Sequence, residues 1–165
     1  MRRKDREMDR DFALGVLDRC EYAVLATSDG EGRPYCIPVT IVRRDEVIYI
    51  HSALEGQKVN NLRGNGNVCL TAAGGTKIAK DQFTTEFESA VVFGTAEEVT
   101  EEAEKIEALR LLCLRHVPTN MHRFDEAVRA SLHRTGVWKI HMDTVTGKRK
   151  KFDKDGVEMK FGRME

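Results

Sequence analysis

The sequence predicts a small α+β domain built around a barrel of short β-strands. Six short runs rich in β-branched and aromatic residues are separated by turn signals, as in small barrels and sandwiches. An Asp29-Gly30 pair after the first run is a strong hairpin signal. A well-marked helix precedes the last run, so the chain is not a pure β meander. With 165 residues, 41% of them apolar, the chain suits one domain with a substantial core.

The first predicted element is a helix that begins near residue 10. Asp9 or Asp11 can cap it, because a short acidic side chain accepts hydrogen bonds from the first backbone amides of a helix. Apolar residues then recur at helical spacing, at Phe12, Val16, Leu17 and Cys20. A weaker helical pattern covers 53–61, with Gly64 as its stop.

Six strands are predicted, at 22–27, 33–42, 47–51, 67–73, 89–99 and 136–145. The continuous apolar run at 90–93 indicates a strand buried on both faces. Gly74 and Gly75 are expected to end the fourth strand, and 76–86 is expected to be a connecting loop, with or without a short strand in it. A turn is expected at 146–148.

The strongest helical pattern covers 101–116, and a shorter helix is predicted at 124–132. Thr100 is the expected cap of the longer helix, and Pro118 is expected to close it. Its apolar stripe consists of Ile106, Leu109, Leu112 and Cys113. From residue 151 onward the sequence is polar and poorly patterned. The predicted organisation is therefore one domain at 1–150 and a polar C-terminal tail at 151–165.

Composition excludes several classes of function. Lys+Arg and Asp+Glu are equal at 27 each, so no net positive charge supports a nucleic-acid partner. No run approaches the roughly 18 apolar residues of a membrane span. The charged N-terminus does not resemble a signal peptide, so we expect a cytoplasmic protein. The four cysteines form no CxxC pair, and we expect them to be buried thiols.

A candidate anion site lies where the third strand meets the weak helical segment, in the sequence HSALEGQK at 51–58. Ser52, Gly56 and Lys58 would bring a hydroxyl, a close backbone approach and a positive charge to the start of a helix. That arrangement suits a phosphate. The alternative is an ordinary strand-to-helix turn with an exposed lysine.

Other candidate chemistry is weaker. No second histidine or carboxylate lies at ligand spacing from His51, so no metal site is predicted. The sequence has no GxSxG, no GxGxxG and no P-loop. Trp138 could be core or a ring-stacking wall, and core is the favoured interpretation.

Eight motifs in collinear order carry a family resemblance over about residues 1–150. They are MRRKDRE at 1–7, YAVLAT at 22–27, GRPYCIPV at 32–39, IYIHSA at 48–53, GQK at 56–58, NVC at 67–69, SAVVFG at 89–94 and TGK at 146–148. With these motifs the chain resembles the nitroimidazole-resistance proteins of the pyridoxamine 5′-phosphate oxidase-like, FMN-binding split-barrel family.

The resemblance implies a six-stranded antiparallel split β-barrel with flanking helices. It also implies a homodimer with one FMN in each of two clefts between subunits. Pro38, Val39 and Thr40 would line the isoalloxazine ring through their backbone, with His51 and Ser52 beside it. Lys58 would hold the phosphate, with Ser89 nearby. Family members often have a basic residue where this chain has Gln57.

The same resemblance implies an FMN-dependent oxidoreductase that reduces nitroimidazoles or other nitroaromatic compounds with a nicotinamide electron donor. His51 is the expected catalytic residue. Two alternatives keep the fold: a non-catalytic flavin- or haem-binding module, with His51 or His141 as axial haem ligand, and a deazaflavin-dependent reductase. The C-terminal segment typical of true pyridoxamine 5′-phosphate oxidases is not found at 153–165, so that activity is not expected.

Overall fold

Eight β-strands and four α-helices form the described part of the chain, residues 2–80 and 82–162 of a computed structural model. The strands are β1 Glu7–Met8, β2 Ala23–Ser28, β3 Pro34–Val39, β4 Val42–Arg44, β5 Val47–Ser52, β6 Asn67–Ile78, β7 Thr85–Glu98 and β8 Gly136–Lys150. The helices are α1 Arg10–Arg19, α2 Gln57–Gly64, α3 Glu102–His116 and α4 Phe124–Ser131. Short 3₁₀ turns occupy Lys4–Arg6, Pro118–Arg123 and Leu132–Arg134.

All strands belong to one antiparallel sheet in the order β3-β2-β6-β7-β8-β5-β4, with β1 paired to β8. The two ends of this order, β3 and β4, are joined by only Thr40 and Ile41. Two residues span at most about 10 Å between the strand ends, so the sheet must curve until its edges meet at this corner. No pairing joins β3 to β4 among the described residues. The sheet is therefore an open, barrel-like structure.

The predicted count of six strands is wrong. The helix predicted at 101–116 and the predicted hairpins are present. β1 and β4 are short strands that were not predicted. The predicted strand at 33–42 is divided, because the chain bends at Thr40 and Ile41 and then pairs with β5 instead of β2. The antiparallel sheet with flanking helices is confirmed.

Three long strands extend further than predicted. Beyond Gly74 and Gly75, β6 continues to Ile78 through an irregularity in its pairing with β7. β8 continues through Thr146-Gly147-Lys148 in place of the predicted turn, because this segment pairs with β7. The result is a three-stranded ribbon of β6, β7 and β8 that continues past the end of β2.

The main core lies inside the curved sheet and is closed by α1. Leu25, Ile50, Leu70, Ile140 and other inward side chains are fully buried there, with Ala13 and Leu17 of α1 against them. Trp138 is 2% exposed and belongs to this core, as predicted. The thiols differ from the prediction: Cys36 is exposed and the other three are half-buried.

Helix starts are set by local capping and by tertiary contacts. The Asp9 side chain accepts a hydrogen bond from the Phe12 amide at 2.8 Å and caps α1. The expected cap Thr100 is wrong, because α3 starts one residue later with Glu101 at its N-cap and no side-chain cap bond. The weak helix predicted at 53–61 begins only at Gln57.

The outward-facing side of the sheet is only partly covered. Helix α3 packs on its β5 and β8 side, where Ala108 contacts a small cluster with Val99 and Val137. Over β3, β2, β6 and β7 the side chains stay half-buried or exposed, and Phe93 is 55% exposed. We call this uncovered area the outer face; its members are Val24, Ala26, Cys36, Pro38, Cys69, Thr71, Val91 and Phe93.

The described part of the tail packs against the N-terminal segment. Glu158 binds Arg6 at 2.6 Å, and Lys160 binds Asp5 at 2.7 Å. The Phe161 amide donates to the Asp5 carbonyl at 3.0 Å. The sequence pattern did not predict these contacts, since they join residues about 150 positions apart.

Candidate functional site

The predicted site residues of β3 and β5 lie on either side of the two-residue corner where the sheet is open. Pairing of β4 with β5 ends at Val42 opposite Tyr49. If this register is extended by two residues beyond Val42, Thr40 stands opposite His51. Among the described residues, the second half of β5 pairs with β8 alone, so its other edge carries no neighbouring strand there. Of the site residues predicted before β4, this register therefore relates only Thr40 to His51.

The free edge of β3 is rich in carbonyl groups. The Asp29 amide donates to the Arg33 carbonyl at 3.1 Å. In this register, Arg33 and every second residue after it direct their backbone N–H and C=O groups toward β2. Pro34, Cys36 and Pro38 therefore direct their backbone groups to the opening. Because proline has no N–H, this edge offers three carbonyl acceptors and one amide donor. The side chain of Val39 instead points into the core and is 7% exposed.

His51 lies on the outward side of β5, at the end of the strand. Its side chain is exposed, but surrounding protein atoms desolvate it and lower its pKa, and the positive charges of Lys58 and His116 lower it further. The imidazole therefore stays neutral at lower pH than an ordinary histidine. His116, at the end of α3, is within hydrogen-bond distance of the Ile41 carbonyl, with its Nε2 at 2.8 Å.

Lys58 stands in the first turn of α2 and turns back toward β5. Its Nζ donates to the His51 carbonyl at 3.4 Å. The ammonium group is half-buried, and desolvation lowers its pKa. Within residues 2–80 and 82–162 no carboxylate forms an ion pair with it. Such a cation is a suitable partner for a phosphate, which would restore the lost solvation.

Gly56 explains how the chain turns into α2. Its φ of +117° lies in a region that favours glycine, and a Cβ there would meet no atom within 4 Å. The turn therefore leaves open space beside the first amides of the helix. The Ser52 hydroxyl is engaged nearby, since it donates to the Ala53 carbonyl at 2.6 Å.

A buried polar connection fixes α2 to the sheet. Asn61 is 2% exposed, and its Nδ2 donates to the Thr27 hydroxyl at 3.0 Å. Thr27 in turn donates to the Tyr35 carbonyl on β3 at 3.3 Å. Gln57 donates to the Asn61 side-chain oxygen at 2.8 Å. Gln57, which occupies the position where relatives often have a basic residue, thus has a structural contact here.

Ser89 does not lie near Lys58 in one chain. It pairs with Lys148 on β8, whereas His51 pairs with Val137 near the other end of that strand. Nine residues of β7 separate Ser89 from Glu98, which is bound by Arg63 of α2. At about 3.3 Å per residue that is roughly 30 Å of strand. A contact between Ser89 and Lys58 therefore requires a second copy of the chain.

Two hydrogen-bond contacts near the site were not predicted from the sequence. Asn61 had a weak signal, a polar residue between the apolar positions Val59 and Leu62 of a helix. His116 had none, because its contact with Ile41 joins residues 75 positions apart. The alternative haem ligand His141 lies elsewhere on β8 and faces Glu97, at 3.4 Å.

Among the described residues, His, Cys, Asp and Glu side chains form no group of three or more suited to a metal ion. None of the helices in the described part of the chain combines the length and hydropathy that a bilayer crossing requires.

Solved structures resemble this fold over most of the chain. A candidate 5-nitroimidazole antibiotic resistance protein from Bacteroides thetaiotaomicron is 28% identical, covers 87% of this chain and 86% of its own, and has a TM-score of 0.74. A FAD-binding protein from Mesorhizobium loti is 20% identical, with coverages of 88% and 98% and a TM-score of 0.65. A FAD and haem binding protein from Mycobacterium smegmatis is also 20% identical, with coverages of 96% and 84% and a TM-score of 0.74.

Sequence comparison gives a complementary result. Among curated proteins, none is significantly similar. The sequence model of the family described as pyridoxamine 5′-phosphate oxidase matches residues 9–149, which is most of the chain. The resemblance inferred from the motifs is thereby confirmed, and the chain belongs to the pyridoxamine 5′-phosphate oxidase family.

Proposed function

We propose that this protein is an FMN-binding oxidoreductase that reduces nitroimidazoles or related nitroaromatic compounds with electrons from a nicotinamide donor. The observation that carries the flavin site is the half-buried ammonium of Lys58, without a carboxylate partner in the described chain, beside the open corner of the sheet. The similarity to a candidate 5-nitroimidazole resistance protein supports the substrate class.

The residues at the corner fit a phosphorylated flavin. Lys58 and the first amides of α2 would hold the phosphate, and the turn at Gly56 leaves room for it. The carbonyl-rich edge of β3 would accept a hydrogen bond from the flavin ring. When bound, the flavin supplies the redox chemistry, while the protein supplies binding, orientation and electrostatics.

His51 is the proposed catalytic residue. It lies at the end of β5 beside the corner, where it can contact a substrate placed against the flavin ring. Its lowered pKa keeps the imidazole neutral around neutral pH. A neutral imidazole can donate one hydrogen bond and accept another, so it can orient a polar group of the substrate.

We also propose that the chain acts as a homodimer through the outer face. This face carries small and apolar side chains and an exposed Phe93, and contiguous exposed apolar patches mark interaction sites. Ser89 lies on the same side of the sheet, on β7. In the proposed dimer, Ser89, which is distant from Lys58 in one chain, would approach the corner of the other copy.

The first experiment tests cofactor retention. Purified protein is mixed with excess FMN, desalted and examined by absorbance, beside Lys58→Ala and a control, Lys154→Ala, on a distant turn. We expect the flavin bands in wild type and control, and roughly 10- to 100-fold weaker binding in Lys58→Ala, since a charged hydrogen bond contributes about 1.5–3 kcal/mol. Equal retention in all three proteins would refute the assignment of Lys58.

Activity and assembly are tested separately. Nitroimidazole reduction with NADH should be lost in His51→Ala while FMN is still retained; unchanged turnover would remove His51 from the mechanism. A Soret band in place of flavin absorbance would instead favour the haem-binding alternative. Phe93→Asp should convert a dimer into a monomer in light scattering, whereas Phe83→Asp, which is even more exposed but lies off the outer face, should not.

A further inference from the structure

A surface cavity of about 560 Å³ lies beside the segment that joins β5 to α2. It is open to solvent and lined by the first turns of α3, by α4 and by the 3₁₀ turn after α4. Its apolar wall is formed by Leu54, Ile106, Val128 and Leu132. The volume falls within the roughly 300–1,000 Å³ of small-molecule sites, and such a wall suits a flat ring.

The rim of this cavity is mainly cationic. The cations of Lys105 and Arg129 and the imidazole of His133 line it, and Glu102 contributes the one carboxylate among the lining residues. Arg129 uses its Nε to bind the Asp125 carbonyl at 3.2 Å, which leaves the outer guanidinium N–H groups for a ligand. An apolar wall with a cationic rim is complementary to an aromatic ring that carries a phosphate.

The cavity adjoins the proposed phosphate site of the flavin. Leu54 lies four residues before Lys58, and its carbonyl accepts a hydrogen bond from Arg63 of α2 at 3.3 Å. Arg63 also binds Glu98 at 2.9 Å. Lys105 is close enough to Glu98 for its charge to act on that carboxylate. The cavity and the phosphate site therefore border the same short segment, the one that joins β5 to α2.

We propose that this cavity binds the adenosine 5′-phosphate group of a dinucleotide. The inference rests on the proposed flavin site and deepens it. A neutral nitroaromatic substrate would leave the cationic rim unused, whereas an adenylate places its purine on the apolar wall and its phosphate at the rim. The adenylate belongs either to a flavin dinucleotide that extends from Lys58 or to the nicotinamide dinucleotide that donates electrons.

Binding measurements separate these sources. Dissociation constants for 5′-AMP, FMN and FAD, and KM for NADH, are compared in wild type, Lys105→Gln, Arg129→Ala and the distant control Lys154→Ala. We expect 5′-AMP to bind about tenfold more weakly in both cavity variants, as for the loss of one charged hydrogen bond. FMN affinity should not change. Glu102→Gln, which removes the opposing charge, should tighten 5′-AMP binding.

The two sources give different further results. A parallel tenfold loss of FAD affinity assigns the cavity to a flavin dinucleotide, and a tenfold rise in KM for NADH with unchanged FAD affinity assigns it to the donor. The proposal is overturned if wild type does not bind 5′-AMP or if the cavity variants bind it as wild type does. A protein that retains no flavin but loses 5′-AMP in Lys105→Gln would refute the proposed cofactor site and keep this one.

Discussion

Replacing Asn61 by alanine tests whether one buried side chain holds the helix that carries Lys58. Asn61 joins α2 to β2 through the Thr27 hydroxyl, in a setting closed to water. The loss of this hydrogen bond, the loss of the bond that Gln57 donates to Asn61 and the void left by the amide each cost about 1 kcal/mol. Alanine regains about 0.5 kcal/mol of helix propensity. The free energy of unfolding should therefore fall by about 2.5 kcal/mol.

Urea unfolding followed by Trp138 fluorescence, at fixed protein concentration, measures this change. With an m-value of about 2 kcal/mol per molar urea, the midpoint should fall by about 1.2 M. Asn60→Ala is the matched control, because Asn60 is the exposed neighbour on the same helix and should change the midpoint by no more than about 0.3 M. Equal midpoints for the two variants would refute the reasoning. The Asn61 variant should also retain FMN less well, since Lys58 loses its support.

Three further predictions concern charge and packing. Lys58→Ala should raise the pKa of His51, because it removes a nearby positive charge; an NMR titration that finds the same pKa would contradict this. Gly94→Ala should lower the urea midpoint more than Asn61→Ala does, because its Cβ would overlap a backbone carbonyl of β8, and a wild-type midpoint would exclude that overlap. The pKa of Glu158 is lowered to about 2 from an ordinary 4.5 by its arginine partner, so its stabilisation is complete above pH 4.5 and is lost as the pH falls toward 2. The protection factor of the Phe161 amide, its exchange rate relative to the intrinsic rate at each pH, should fall in that interval, and an unchanged protection factor would show that the ion pair does not hold the tail.

Local signals in the sequence account for the elements that were predicted well. The Asp29-Gly30 turn and the apolar stripe of α1 each depend on near neighbours. The continuous run at 90–93 located β7, but its predicted burial on both faces is wrong, because Val91 and Phe93 lie on the uncovered outer face. Gly74-Gly75 was misread as a strand end. In the structure Gly75 has a φ of +58°, which suits an irregularity in the ladder, and pairing resumes beyond it. Exposed ribbons of this kind need no alternating apolar pattern, so the sequence carried no signal for the extension.

In the site, too, contacts between near neighbours could be predicted and contacts between distant residues could not. His51 and Lys58 are seven residues apart, so a strand-to-helix turn places them together. The position of Thr40 relative to His51 depends on the register of the β4–β5 hairpin. The sequence predicted that the two residues share a site only through the resemblance to the family. Ser89 depends on assembly between chains. Cavity-lining residues such as Lys105 and Arg129 come from separate helices, and no local pattern relates them.

The prolines of β3 have a consequence for the behaviour of the protein at high concentration. An unpaired strand edge normally recruits strands from other molecules, and aggregation begins there. Over Pro34–Val39 an incoming strand would find a single amide donor, at Cys36, against three carbonyl acceptors, and a regular ladder cannot form. The opening of the sheet can therefore remain accessible to a small hydrogen-bond donor while resisting edge-to-edge polymerisation.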